Sequence, residues 1–208
     1  MPWVLLLPVV LFSSTAEEVA LKAEAKLLSL ESLKARFTQT YIPKSLTTPL
    51  REKGEFYFKK KGLMKWVYQE PEEKIFLLKD GTFFFYLPED KQLIKSSLSK
   101  DTKESEILEL LSGTLRLQEK YQIEFTQPPK SEDRIFYITL TPKEEEEYTS
   151  IFLEIERTSW LIQKAIFSDW AGNTTEFHFS RIKTNISLPQ DTFELKVPLD
   201  VEVIENVH

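Results

Sequence analysis

The sequence predicts a mainly β protein, a sandwich or barrel of about ten or eleven antiparallel strands with two helices set against it. Three observations carry this. Apolar and polar residues alternate in short runs from about residue 55 onward, turn signals separate the runs, and aromatic side chains recur at alternating positions within them. The chain holds 15 Phe, 7 Tyr and 4 Trp in 208 residues, and such residues favour a pleated, half-buried surface.

The elements follow in order. Met1 to Ala16 contains no Asp, Glu, Lys or Arg, and Val4 to Phe12 is apolar apart from Pro8, too short a run to cross a bilayer as a helix. Ser14 and Ala16 place small residues at the spacing a signal peptidase accommodates, just ahead of Glu17-Glu18. Residues 1–16 therefore read as a signal peptide cleaved after Ala16, and residues 17–208 as one domain. The leader has no Lys or Arg beyond its α-amino group, so the competing reading is a buried N-terminal helix. No later stretch is long and apolar enough to span a membrane, so an exported, soluble protein is the expectation.

From Glu17 to Phe37 the apolar residues Val19, Ala23, Leu27, Leu30, Leu33 and Phe37 recur at threes and fours. That period predicts an amphipathic helix of about six turns with one face needing cover. After Pro43 to Pro49 the period becomes two: Phe56 and Phe58 alternate with Glu55, Tyr57 and Lys59, and Met64, Trp66 and Tyr68 alternate with Lys65 and Val67. Further strands are expected at Ile75 to Leu78, Phe83 to Tyr86, Gln92 to Lys95, Tyr121 to Gln127, Arg134 to Leu140, Ile151 to Glu156, Leu161 to Ser168, Thr174 to Ser180 and Phe193 to Val197. Asp80-Gly81, Leu87-Pro88-Glu89-Asp90 and Ala171-Gly172-Asn173 supply the turns, where Gly and Asn accept positive φ cheaply. Ser105 to Leu111 interrupts the pattern with Ile107, Leu108, Leu110 and Leu111 crowded into two turns and Gly113 just beyond, a short apolar helix with its stop. A curved sheet of this many strands with an aromatic interior has more room than its own side chains fill, and the two helices can plug it.

The residues that would carry catalysis are scarce. There is no Cys, no Gly-x-Ser-x-Gly elbow, and only His178 and His208, so nucleophilic chemistry and thiolate metal sites have no basis. Five glycines, none in a phosphate-binding arrangement, give no indication of a cofactor. His178 sits between Phe177 and Phe179 and so points to the opposite face. The net charge of −6 and the absence of a long basic run speak against nucleic acid. Lacking Cys, the chain also has no acylated N-terminal Cys, so if it handles lipid it is not itself a lipoprotein.

The aromatic set is the positive signal. Phe37, Phe56, Phe58, Met64, Trp66, Tyr68, Phe83, Phe85, Phe177 and Phe179 fit either an ordinary β core or the dry, shape-tolerant lining that acyl chains need, where each buried methylene is worth about 0.8 kcal/mol.

Ordered pieces along the chain add a resemblance. They are Leu33-x-Ala35-x-Phe37-x-Gln39, read as closing the first helix; Gly54-x-Phe56 with Met64-Lys65-Trp66-x-Tyr68 and Glu70-Pro71; Asp80-Gly81, Tyr86-x-Pro88 and Gln92; and Leu108-x-x-Leu111-Ser112-Gly113. Asp169-x-x-Gly172-Asn173 follows, then Phe193-x-Leu195-x-Val197-Pro198 with Val201-x-Val203. From about Leu27 to Ile204 the chain resembles the outer-membrane lipoprotein carrier protein family (LolA) of periplasmic chaperones.

The resemblance implies an incomplete, unclosed antiparallel β-barrel covered by short helices, with no catalytic activity and no cofactor. It implies a monomer that accepts acylated lipoproteins from an inner-membrane lipoprotein-releasing transporter and delivers them to an outer-membrane receptor lipoprotein. Ile107, Leu108, Leu110 and Leu111 would then belong to a lid that fills the cavity when it is empty; a fixed core helix is the alternative. In the family a basic residue shortly before the Trp strand, usually Arg, holds the lid by bonding to backbone. The matching stretch is Lys60-Lys61-Gly62, with Lys65 nearest the Trp, and Lys offers three donors on one ammonium against the five of the Arg fork, a looser latch. A carrier of another amphiphile such as a glycolipid on the same fold is the second expectation, and a periplasmic two-carboxylate glycan hydrolase the third.

Overall fold

The computed structural model describes residues 14–45, 48–60, 62–97, 105–130 and 132–206. Helix α1 (Ala16–Leu28) starts from a capping box. The Thr15 hydroxyl accepts from the Glu18 N–H at 3.2 Å while Glu18 Oε2 accepts from the Thr15 N–H at 3.3 Å, which satisfies two donors a helix start otherwise leaves open. Val19, Ala20, Ala23 and Leu27 are its buried stripe. Residues 1–13 of the expected leader lie outside the described residues, and its last two, Thr15 and Ala16, are the cap and first residue of this helix.

The helix stops well short of Phe37. Ser29 caps its end, and Ser32–Ile42 is strand β1. A spacing of four, Leu33 to Phe37, satisfies a helix and a strand alike. The decisive pattern is the alternation of Leu33, Ala35 and Phe37, all buried, on a strand that pairs along both edges.

Then come β2 (Leu50–Lys59), β3 (Leu63–Glu70), β4 (Lys74–Lys79), β5 (Thr82–Leu87), β6 (Gln92–Ser97), α2 (Ser105–Ser112) and α3 (Leu117–Lys120). They are followed by β7 (Tyr121–Phe125), β8 (Ile135–Pro142), β9 (Tyr148–Glu156), β10 (Ile162–Asp169), β11 (Thr174–Thr184) and β12 (Glu202–Asn206). The β4–β5 hairpin turns on Asp80 (φ 51°) and Gly81 (φ 73°), the two positive values that a two-residue turn of this twist requires.

All twelve strands form one sheet in the order β12-β6-β5-β4-β3-β2-β1-β11-β10-β9-β8-β7. Adjacent strands run antiparallel except β12, which pairs with β6 in parallel. The terminal strands β7 and β12 each pair on one side only, so the barrel is unclosed. One face of the curved sheet holds the core; α1 and α3 pack against β7 and each other, α1 also against β8, and α2 packs against α1 and faces Trp66, Tyr68, Phe76 and Phe83.

The expected strand from Phe193 to Val197 does not join this sheet. Gln190–Phe193 is a 3₁₀ turn, and the extended chain after it lies across the outer face, with Phe193, Leu195 and Val197 set against Leu77, Phe84 and Leu93. An extended segment packed flat on a sheet shows the same period of two as one paired within it. The strand near the C-terminus is instead β12, and β1, where a helix was expected, brings the number to twelve rather than ten or eleven.

Gly54 on β2 is required by close approach. A Cβ there would sit 2.0 Å from the Val67 carbonyl oxygen and 2.9 Å from Phe37 Cε1. Gly54→Ala is expected to cost about 1–3 kcal/mol as overpacking and to lower the thermal midpoint by several degrees; an unchanged melting curve would show that β2 and β3 separate there without cost.

Candidate binding cavity

The inner face is built by register. Phe56 pairs with Trp66, Trp66 with Phe76 and Phe76 with Phe85 across β2 to β5, while Phe37 pairs with Phe179 between β1 and β11. Trp66 is the hub of the rings. It lies 4.9 Å from Phe37 edge-on, 4.3 Å from Phe56, 5.4 Å from Phe177 and 6.1 Å from Phe179, distances at which aromatic pairs add to simple burial.

Within this face lies a cavity of about 300 Å³. Trp66, Tyr68, Phe76, Phe83 and Phe177 line it from the sheet, Ile107 and Leu108 from α2, and Gln39, Tyr41, Glu147, Tyr148, Asp169 and Thr175 complete its wall. The polar groups are tied to one another: the Tyr68 hydroxyl donates to Gln39 Oε1 at 2.5 Å, and Asp169 accepts from the Asn173 backbone N–H and side-chain amide at 2.8 and 2.7 Å. The result is an apolar floor with a polar lip.

Of the ten side chains singled out from the sequence, Trp66, Tyr68, Phe83 and Phe177 border the cavity directly. Phe37, Phe56, Phe58, Met64 and Phe179 are buried in the core around them, and Phe85 stacks on Phe76 at 4.1 Å. Phe76, Gln39, Tyr41 and Tyr148 escaped the sequence reading. Phe76 alone carried a usable signal, its place in the alternating run before Asp80-Gly81. His178 is exposed on the other face, and among the described residues no three His, Asp or Glu side chains are placed to hold a metal.

The roof is α2. Leu108, Leu110 and Leu111 are buried and Ile107 half-buried. Ile107 and Leu108 face the main cavity, while Leu111 with Leu27 covers a residual gap of about 20 Å³ above Phe56 and Phe179. Gly113 (φ 73°) ends the helix where a Cβ would be 2.9 Å from Leu27 Cβ, so only glycine lets this turn dock on α1.

Glu106 stands in the first turn of α2 and is only 6% exposed, with Oε1 lacking a hydrogen-bond partner. Burial first, and then the charge of Glu146, push its carboxyl up to about 7, against the opposing pull of Lys120.

Two of the three latch candidates are seen with other partners. Lys60 pairs with Glu31 at 2.6 Å, and Lys61 lies outside the described residues. Lys65 points to the outer face, where its ammonium donates to the backbone carbonyls of Thr192 and Glu194, both at 2.9 Å. It fastens the C-terminal segment rather than α2. The alternation that turns Trp66 inward turns Lys65 outward, so the residue nearest the Trp is on the wrong face to reach the roof. Burial holds the Lys65 pKa below the ordinary lysine value, partly offset by Asp191 and Glu194.

The site is thus an unclosed barrel with an aromatic floor and a helical roof around an apolar cavity. Residues 28–196 match the family model described as outer membrane lipoprotein carrier protein LolA, and the chain belongs to that family. The outer-membrane lipoprotein carrier protein of Methylococcus capsulatus is 28% identical over 199 residues, covering 94% of this chain and 92% of that one. The protein of the same name from Azotobacter vinelandii is 28% identical over 216 residues, covering 97% of each. Among solved structures, an uncharacterized conserved protein from Thermus thermophilus shares the fold with a TM-score of 0.60 at 12% identity, covering 92% of this chain and 99% of that one.

Because two charged hydrogen bonds hold the 3₁₀ turn, Lys65→Met is expected to cost about 1–3 kcal/mol and to raise hydrogen exchange at the amides of residues 190–195. Unchanged protection there would show that the apolar contacts of Phe193, Leu195 and Val197 anchor the segment without Lys65.

Proposed function

We propose that this protein is a soluble periplasmic carrier, not an enzyme, that holds the acyl chains of lipoproteins in its cavity and moves them from the inner to the outer membrane. The observation that carries this reading is the apolar cavity of about 300 Å³ roofed by Ile107 and Leu108. That volume is at the small end for a ligand pocket, so a long acyl chain needs the roof to move. In this reading α2 is the lid, and its side chains occupy part of the space that cargo takes over.

The aromatic residues from Phe37 to Phe179 form the acyl-binding floor, and the lip of Gln39, Tyr41, Glu147, Asp169 and Thr175 meets the polar end of the cargo. Residues 1–16 direct export, and among the described residues no helix is long and apolar enough to cross a membrane. The carrier works as a monomer between a lipoprotein-releasing transporter and a receptor lipoprotein. Membership of the LolA family and the names of its relatives support this cargo.

Native mass spectrometry of the exported chain, mixed with a detergent-solubilised triacylated lipoprotein or with glycolipids, tests it. A one-to-one complex that depends on the acyl chains is expected with the lipoprotein, and Leu108→Glu is expected to abolish it. Binding of glycolipid alone would move the cargo to that class; unaltered binding by Leu108→Glu would remove α2 from the role of lid.

A further inference from the structure

Helix α2 roofs an apolar cavity, yet the first residue after its opening serine is a buried carboxylate. Glu106 Oε1 is sealed from solvent without a hydrogen-bond partner, an arrangement that costs free energy whichever form the group takes and far more when it is charged. Its charged surroundings are lopsided. Among the described residues, Glu109 lies one turn on along α2, Glu146 and Glu147 come from the turn before β9, and Lys120 from the end of α3 is the one cation that acts on it. Lys120 is already divided between Glu109 and Glu146, at 3.8 Å from each. From α1, Glu24 responds to Arg116 and Glu119 instead. The cavity wall is adjacent, since Ile107 and Leu108 follow Glu106 directly and Glu147 and Tyr148 line the same space.

We infer that Glu106 is a proton-operated latch for α2: protonated, it lets the helix seat on the sheet, and ionised, it drives the first turn of the helix out toward water. When that turn leaves, Ile107 and Leu108 leave with it and the cavity loses its roof. The second step rests on the reading of α2 as the lid; the first stands on geometry alone.

The direction follows from linkage. Seated, Glu106 titrates near 7; exposed, it returns to the ordinary carboxylate range. The seated form therefore binds a proton more readily, and its advantage is complete in acid. That advantage is lost as pH rises toward neutrality, by up to about tenfold in the opening equilibrium per pH unit, and it levels off once the seated form is ionised as well.

Hydrogen exchange of the α2 amides, corrected for intrinsic rates and measured at about pH 5 and about pH 8 on the full chain, reads this equilibrium. The wild type is expected to open at least about tenfold more at the higher pH, whereas E106Q stays protected and flat with pH. Should E106Q fail to fold, E146Q removes a facing charge that raises the Glu106 pKa, so the pH at which opening levels off is expected to move lower and the pH response to shrink; a response as large as that of the wild type counts against the latch. Protection of wild-type α2 that does not change with pH, or an E106Q response equal to that of wild type, overturns the latch. Uptake of a synthetic triacylated lipopeptide is measured in parallel. Opening that follows Glu106 while uptake ignores it keeps the latch and removes the lid from the proposed function.

Discussion

The structure depends on keeping one curved aromatic surface dry. A sheet of twelve strands presents more inner face than its own side chains can cover, and the rings around Trp66 meet one another without filling the bowl. Water against that face would forfeit about 25 cal/mol for every Å² of apolar surface left exposed. Each of the helices answers this requirement. α1 and α3 take the half under β7 and β8, and α2 spans what is left, with Gly113 allowing the close turn onto α1 that sets its position.

The outer face is organised by a different device. Leu77 and Leu93 are buried there, facing Phe193, Leu195 and Val197 of the segment that follows the 3₁₀ turn, which is pinned by Lys65 and ended by β12 on the open edge of β6. Lys91 ties this return to Asp200 at 2.7 Å. One exposed edge of the long sheet is thereby moved outward to a short strand carrying Glu202 and Glu205, the kind of charged, short edge that discourages pairing with another chain. The inner and outer faces thus have independent covers.

Much of this was legible in the sequence, because β periodicity and turn chemistry are local. The pairs from Phe56 to Phe85, the Asp80-Gly81 hairpin and the extent of α2 follow from alternation, positive-φ turns and a crowded leucine run ending in glycine. What failed was ambiguous locally and settled by long-range pairing. Leu33 to Phe37 fits two periods, and only pairing with β2 and β11 makes it a strand. Phe193 to Val197 alternates like a strand because it lies flat on one. The cavity wall was harder still, since Gln39, Glu147, Tyr148 and Asp169 come from separate elements that share no spacing. The alternation of Lys65 with Met64 and Trp66 showed its face but not its partners, the Thr192 and Glu194 carbonyls, and nothing local marked Glu106 as buried.

Reversible carriage, in the proposed role, sets an energetic condition on the roof. Burying a side chain such as Leu108 is worth about 1.5–3 kcal/mol, and a methylene about 0.8 kcal/mol. Withdrawing Ile107 and Leu108 from the cavity therefore costs about as much as seating four to eight methylenes returns. The first part of an acyl chain only repays the roof, and the methylenes beyond it supply the net affinity. A carrier built this way holds cargo by a fraction of the gross burial energy, so a receptor needs a modest advantage in buried apolar area to take the cargo on. A roof of greater apolar area would shut cargo out, and a smaller one would leave the aromatic floor wet in the empty protein.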